Sequence, residues 1–389
     1  MYYMKKKIFV CITCLLGCII STSAQGNWKV IITKNDGTVE ELLTSDIADI
    51  TFASVAGQEE DVPYLPDQNA DQVIIKELYN GGVMLDDGSK NFQFDKCVIL
   101  YNNCPQRAVV NNLCFGVLPP YNSFGQHDNF YGNDGRLLYE GEGFLPIIHS
   151  LWYYPHSLVI EPYSQVVINI CGAIDNTQTV SNSVNYANAD YYCMYDPEAG
   201  YTHTGYYPTP ASVIPTSHYL KGIMIGMGNG WTFSVSSPAL IVFQTQGITP
   251  QEFGNDADNL WYGNAATTQV NACLKVPSEW VIDGLEVYGS ADREKNQKRL
   301  TADVDAGYVY LTNQLGHVLY RNVDKEETEA LPENQGKLVY NYALGVDDST
   351  DPSGIDAEAS MKQGAHIVYQ DTNNSSADFH ERLRCSLRD

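Results

Sequence analysis

The chain has 389 residues, 44% hydrophobic and only 18% charged, with 47 acidic against 23 basic side chains and a formal net charge of −24. A surface this acidic repels nucleic-acid phosphates and anionic lipid headgroups, and no basic patch reverses that locally, so nucleic acid is not an expected partner. Aromatics at 11%, with abundant Gly and Pro, point to a folded, β-rich protein rather than a disordered one.

Residues 1–24 read as a secretory signal peptide. Lys5, Lys6 and Lys7 precede an apolar run from Ile8 to Ile20, and Thr22 and Ala24 are the small residues of a cleavage site before Gln25. The run is shorter than the ~20 residues a helix needs to span a bilayer. Cleavage there removes three Lys and no acid, taking the charge from −24 to −27. A second reading treats Leu15-Leu16-Gly17-Cys18 as a lipobox, with Cys18 as a lipid anchor. Export to the periplasm, the outer-membrane surface or the medium is expected either way.

Residues 25–54 form a small β unit: two strand-like runs, 28–33 and 39–43, flank Asn35-Asp36-Gly37, a strong hairpin signal. A turn and third short strand are expected over 45–52. Residues 55–72, polar, acidic and Pro-containing, read as a linker. The main domain, 73–385, carries strand candidates at 73–79, 97–101, 108–115, 158–161, 165–171, 231–235, 240–244, 272–276, 280–287, 308–311, 317–321, 338–342 and 366–369. They are short, rich in Val, Ile and Tyr, and separated by Gly, Pro, Asn and Asp. Only 249–260 and 147–153 invite short helices. The pattern predicts an all-β, mainly antiparallel sandwich or barrel. The stretch 324–360 reads as a charged surface excursion apart from its strand candidate, and 386–389 as a tail.

Beyond the signal there are seven cysteines: Cys97, Cys104, Cys114, Cys171, Cys193, Cys273 and Cys385. No CxxC or zinc spacing appears, and an odd number cannot all pair within one chain. Cys97, Cys114, Cys171 and Cys273, inside apolar runs, read as buried thiols. An oxidising compartment would allow a Cys97–Cys104 or a Cys104–Cys114 disulfide, and the sequence leaves the connectivity open.

No catalytic constellation stands out. There is no HExxH, HxH or GxSxG, so the expectation is a protein without enzymatic activity or cofactor. Gly226-Met227-Gly228-Asn229-Gly230 lacks the Lys-Ser/Thr of a phosphate loop and reads as a turn. Calcium is the one ion the acidic loops would suit, at Asp128, Asn133 and Asp134 beside Gly132 and Gly135, at Asp303 with Asp305, or at Asp347 with Asp351. None follows the EF-hand order, and solvated turns are the simpler reading. The most suggestive groups are aromatic: Trp152-Tyr153-Tyr154, Tyr191-Tyr192 with Tyr195, and Tyr201 with Tyr206-Tyr207. Exposed, they would make amphipathic platforms for a glycan or a protein partner; otherwise they fill the core.

Two sets of segments look familiar. Val73-Ile74-Ile75-Lys76-Glu77-Leu78-Tyr79-Asn80, then Cys97-Val98-Ile99-Leu100-Tyr101-Asn102 and Leu113-Cys114-Phe115-Gly116, resemble the opening of lamin-tail-like domains, which implies an immunoglobulin-like sandwich used mostly for tethering and binding. Val98-Ile99-Leu100 stands where Ile-Glu-Leu is usual, and Pro162-Tyr163-Ser164 where Pro-Gly is. Glu279-Trp280-Val281-Ile282-Asp283-Gly284, Lys298-Arg299-Leu300 with Asp305-Ala306-Gly307-Tyr308, and Asp371-Thr372-Asn373-Asn374-Ser375-Ser376-Ala377-Asp378-Phe379 resemble the domain of unknown function 4876, found in exported proteins of Gram-negative bacteria. The resemblance covers about residues 73–385 and implies export and a β-rich fold, but no activity. The 371–379 segment reads as Asx- and Ser-capped turns with a structural role. Together these features lead to an exported, non-enzymatic binding or surface-interaction protein. An accessory or degenerate hydrolase acting on polysaccharide or peptide, and a structural surface component, are the alternatives.

Overall fold

The structure is a computed structural model that describes residues 29–33, 38–46, 64–124, 129–201, 203, 205–227, 230, 231, 233–291 and 293–388. The expected signal peptide, the expected turn 35–37, most of the third strand expected at 45–52 and most of the expected linker lie outside the described residues. The chain divides into two compact units, 1–62 and 63–389. In the first, β1 (Lys29–Thr33) and β2 (Val39–Leu43) pair antiparallel with Thr33 opposite Val39, the hairpin expected from the sequence. An ion pair between Lys29 and Glu41 at 2.7 Å is exposed and adds little.

The second unit is mostly β. In chain order its strands are β3 (Val73–Tyr79), β4 (Val83–Met84), β5 (Asn91–Phe92), β6 (Cys97–Asn102), β7 (Ala108–Val110), β8 (Leu113–Val117) and β9 (Phe144–Tyr153). Then come β10 (Leu158–Ile160), β11 (Gln165–Asn169), β12 (Tyr192–Met194), β13 (Tyr219–Ile225), β14 (Ala239–Gln244), β15 (Leu260–Trp261) and β16 (Cys273–Pro277). The last are β17 (Val281–Gly289), β18 (Val309–Leu311), β19 (Val318–Arg321) and β20 (Phe379–Arg382). One sheet runs β18-β17-β14-β8-β9-β13-β12-β11-β6-β3-β19-β20, with β15 and β16 attached through β9. Most neighbours are antiparallel; β11 with β12, β12 with β13, and β17 with β18 are parallel. The sheet curls until its two ends meet: the Ile75 N–H of β3 donates to Asp283 of β17 at 2.6 Å, and the Thr312 N–H beyond β18 donates to Glu381 of β20 at 2.8 Å. The result is close to a barrel.

Alternation of side chains along the strands places a cluster on each face of the central ones. On β8 and β14, Leu113, Phe115, Leu240 and Val242 face a central core shared with Val73, Ile75, Leu100 and Leu285. Their neighbours Cys114, Ile241 and Phe243 face outward into a second cluster with Ile147 and Leu274. Both faces of these strands are therefore buried, which is why the sequence shows continuous apolar runs there.

Several expectations change. The run 108–115 is two strands in different sheets, because Asn112 turns the chain with a left-handed φ of 51°. The helix expected at 147–153 is instead part of β9, a ten-residue strand held by β8, β13 and β16. A strand buried on both faces loses the period-2 signal, and the run is then ambiguous. At 249–260, the short helix α1 (Pro250–Asn255) forms behind a capping box of Thr249 and Glu252. Runs 231–235, 338–342 and 366–369 are not ladder strands: Trp231 and Phe233 fill the core from an irregular segment, while Tyr340 and Tyr369 make single bridges. The stretch 324–360 is no loose excursion either. It carries α2 (Lys325–Ala330) and α3 (Ala357–Lys362), N-capped by Asp324 and Asp356. Ile355 and Ala357 from this stretch, with Ile367 and Tyr369, cover Ile74, Tyr101 and Tyr320. The seven cysteines from Cys97 to Cys385 are all buried and free, so neither expected disulfide is present.

Candidate functional site

The sequence-predicted aromatic residues do not gather into one open platform. Trp152 is fully buried, and its ring meets Tyr201, Tyr207 and Trp231 at centroid distances of 5.8, 5.6 and 6.4 Å. Tyr154 packs edge-on against Tyr192, which stacks on His218 at 4.1 Å. Tyr195 pairs with Tyr219, and Tyr206 contacts Phe94 and His203. Tyr153 joins the outward cluster of β9, and Tyr191 packs on the cluster of Tyr186 and Cys97. All eight predicted residues are at least partly buried.

An exposed aromatic group lies elsewhere, at the β17–β18 edge. Tyr288 of β17 and Tyr308, one residue before β18, stack at 4.0 Å with an interplanar angle of 11°. Tyr310 meets both rings edge-on, and the Arg293 guanidinium lies 4.4 Å over Tyr310. Tyr308 is 37% exposed. Beside it opens a cleft of about 500 Å³, lined by Tyr131, Arg136, Glu140, Lys298, Thr301 and Ala306 among others. The buried Tyr288 phenol is pushed well above its ordinary range, mainly by burial, with the charges of Glu286, Tyr131 and Tyr308 adding to the push. The chain that lines the cleft through Ala306 runs on to the stack at Tyr308.

The wall of this cleft is rigid for a clear reason. Arg299 is fully buried, and its guanidinium donates from Nε and Nη2 to Glu286 Oε1 at 2.8 and 2.6 Å, from Nη1 to the carbonyls of Pro120 and Ser237, and from Nη2 to that of Val287. Glu286 Oε2 accepts the backbone N–H groups of Arg299 and Leu300, both at 2.8 Å. A buried pair costs desolvation, and here every donor is satisfied, so the pair specifies geometry more than it adds stability. It fixes the chain at 299–300 and leaves two polar groups without hydrogen bonds: Lys298 Nζ, 3.7 Å from both Glu286 and Asp305, and the Thr301 hydroxyl.

The segment 371–379 holds the other side. Its residues 375–378 form α4 (Ser375–Asp378), capped by Asn374. Ser375 donates to Asp305 from N and Oγ at 2.8 and 2.6 Å. Ser376 Oγ donates to the Tyr308 carbonyl at 2.7 Å and accepts the Tyr308 N–H at 3.0 Å. Gly307 is required at this crossing, since a Cβ there would lie 1.9 Å from Asn374 Oδ1. Asp371, Asp378 and Asp283 surround Arg321. Two segments singled out in the sequence, 298–308 and 371–379, thus meet at Tyr308, and 279–284 joins them through Asp283 on Arg321 and Gly284 against Val304. The signal that would have located the site was this set of motifs; the aromatic runs pointed away from it.

Of the acidic loops, Asp351 accepts the N–H groups of Val323 and Ser353, and Asp134 that of Arg136. Among the described residues no three His, Cys, Asp or Glu side chains gather as a metal site; Asp128 lies outside them. A second depression, about 590 Å³ and beside α2, is lined by Glu329, Leu331, Asn334 and Tyr340. It has no stacked rings, and its Tyr340 is tied to Glu329. Among the described residues, no helix is long and apolar enough to cross a membrane.

Fold and site together define a β-rich protein whose one mixed sheet curls nearly into a barrel and carries a tyrosine-edged surface cleft. Residues 161–341 match the family model of DUF4876, described as a protein of unknown function. The chain is similar to the crystal structure, at 2.50 Å resolution, of a DUF4876 family protein from Bacteroides thetaiotaomicron VPI-5482, with 17% identity, a TM-score of 0.56, and coverage of 79% of this chain and 70% of that one. The sequence match spans residues 161–341, and over that segment the chain is similar to the DUF4876 family. The structural likeness speaks for the fold, and no curated protein matches the chain.

Proposed function

We propose that this is an exported, non-enzymatic binding protein that holds a glycan on the Tyr288–Tyr308–Tyr310 edge and in the adjoining cleft. The observation that carries the reading is Tyr308 itself: 37% exposed, stacked flat on Tyr288, and two residues beyond the segment that lines a cleft with an unpartnered Thr301 hydroxyl. Sugar rings present C–H faces that lie on aromatic faces, and hydroxyls that seek such polar groups. Glu286 and Asp305, each 3.7 Å from the cleft-lining Lys298, are committed to Arg299, Ser375 and backbone N–H groups, and the cleft-lining Glu140 is paired with Arg136, which favours holding over hydrolysis. The apolar interior between the β3–β6 and β8–β14–β17 parts of the sheet supports reading the fold as an elaborated immunoglobulin or lamin-tail-like sandwich. Export, free or anchored through Cys18, rests on the signal sequence.

The test is calorimetric titration with a panel of soluble neutral and uronic-acid polysaccharides. The expected outcome is saturable binding that Tyr308→Ala lowers at least tenfold with an unchanged circular dichroism spectrum. No binding across the panel, or equal affinity in the variant, would rule the reading out.

A further inference from the structure

Cys97 opens β6, opposite Tyr79 of β3 and Asn169 of β11. Cys385 lies 288 positions later, three residues beyond the end of β20. Both side chains are fully buried in one small cluster with Tyr79, Ile99, Tyr186 and Val318. The chain around Cys385 is already tied down: the Ser386 N–H donates to the buried Glu77 carboxylate at 3.0 Å, and Arg388 reaches Asn182. A covalent link would join two segments that already pack in one cluster.

We propose that Cys97 and Cys385 become joined by a disulfide in the exported protein, a clasp that fastens the end of the chain to the middle of the sheet. The link rests on the export reading for its oxidant. Two thiols lose two protons and two electrons as the S–S bond forms, and the electrons reduce the disulfide of a thiol oxidoreductase, or of a small-molecule disulfide, to two thiols. The exchange proceeds through a thiolate, and burial in the finished fold pushes the Cys385 thiol well up. The bond therefore forms during folding, before Tyr79, Tyr186 and Val318 close over the pair. Cys104 and Cys114, the partners that sequence proximity offered, stay apart from it and remain free.

The purified full chain, unfolded in denaturant and refolded with a glutathione redox couple, provides the test. Peptide mapping without reduction should find one linked pair containing Cys97 and Cys385, with Cys104, Cys114, Cys171, Cys193 and Cys273 open to alkylation after unfolding. Complete alkylation of Cys97 and Cys385, or a link from Cys385 to any other cysteine, overturns the proposal. Cys385→Ser should refold to the same circular dichroism spectrum and yield no linked species; a link retained at Cys97 in that variant overturns it as well. Because refolding takes place in a test tube, its result does not depend on export. A link that forms there but is missing from the protein isolated from cells would count against export and leave the pairing geometry standing.

Discussion

Trp152 and Tyr308 belong to the same sheet, yet the sheet uses them in opposite ways. Trp152 is on β9, between β8 and β13, where both faces are covered and a Cβ on the facing Gly222 would come within 3.2 Å of the indole. Tyr308 leads into β18, the end of the strand order, whose far flank meets β20 without a backbone ladder, and its ring is 37% exposed. Position in the strand order, more than residue type, decides whether an aromatic group is core or contact. Trp152→Ala breaks this comparison most forcefully. It should cost about 3–5 kcal/mol of folding stability from the cavity it leaves, read as a shift in the urea midpoint, while the folded fraction binds glycan with unchanged affinity. A specific loss of binding without loss of stability would mean that the buried nest, and not the edge, is the contact surface.

The buried side also holds titratable groups, and one of them tests how dry that side is. His380 of β20 accepts from or donates to Tyr342 Oη through Nε2 at 2.7 Å, and contacts Asn322 Oδ1 through Nδ1 at 2.8 Å. A neutral ring with Nδ1–H donating to Asn322 and Nε2 accepting from Tyr342 satisfies both contacts. Burial, with Arg382 nearby, pushes His380 down to about 3. The folded ring therefore stays neutral where the unfolded one, near 6.5, takes up a proton. The unfolded state binds more protons below pH 6.5, so stability falls with pH through that window, by about 2 kcal/mol between pH 7 and pH 5 for this residue alone. Asp95 and Asp283, both raised to about 6 by burial, work in the opposite direction, because their folded forms take up protons first. The difference between wild type and His380→Asn isolates the histidine. The variant should lose about 2 kcal/mol less than wild type over that interval, measured by denaturant titration at both pH values. Parallel losses would show that water reaches the ring.

Much of the fold was legible because short Val-, Ile- and Tyr-rich runs between Gly, Pro and Asn announce strands directly: 73–79 is β3, and 97–101, 240–244 and 317–321 fall within a residue of their strands. β9 was not legible, since burial on both faces erased its alternation, and β13 and β20 were missed outright. The site was half legible. Segments 279–284, 298–308 and 371–379 were marked as motifs, but nothing local says that residues nearly 70 positions apart, Tyr308 and Ser376, share two hydrogen bonds. The aromatic runs misled for the complementary reason: contiguous Trp152-Tyr153-Tyr154 on a strand must point to alternate faces, so such a run cannot form one platform, whereas Tyr288, Tyr308 and Tyr310 come together only through the parallel pairing of β17 with β18.

The smallest expected effect on stability gives the sharpest test of that edge. Ser376→Ala removes the hydroxyl that both donates to the Tyr308 carbonyl and accepts its N–H. Tyr308 is exposed, so water can replace both bonds, and the cost in stability should stay near 0.5–1.5 kcal/mol. The cost in binding should be larger relative to it. The Tyr308 backbone is then free to shift, the 4.0 Å stack on Tyr288 loosens, and the flat face offered to a sugar ring is populated for less of the time, so affinity falls several-fold while the near-ultraviolet tyrosine signal weakens. Ser376→Thr keeps the hydroxyl and should restore both signals. If Ser376→Ala binds as wild type does, segment 371–379 merely closes the fold, and the edge tyrosines hold their ligand without its help.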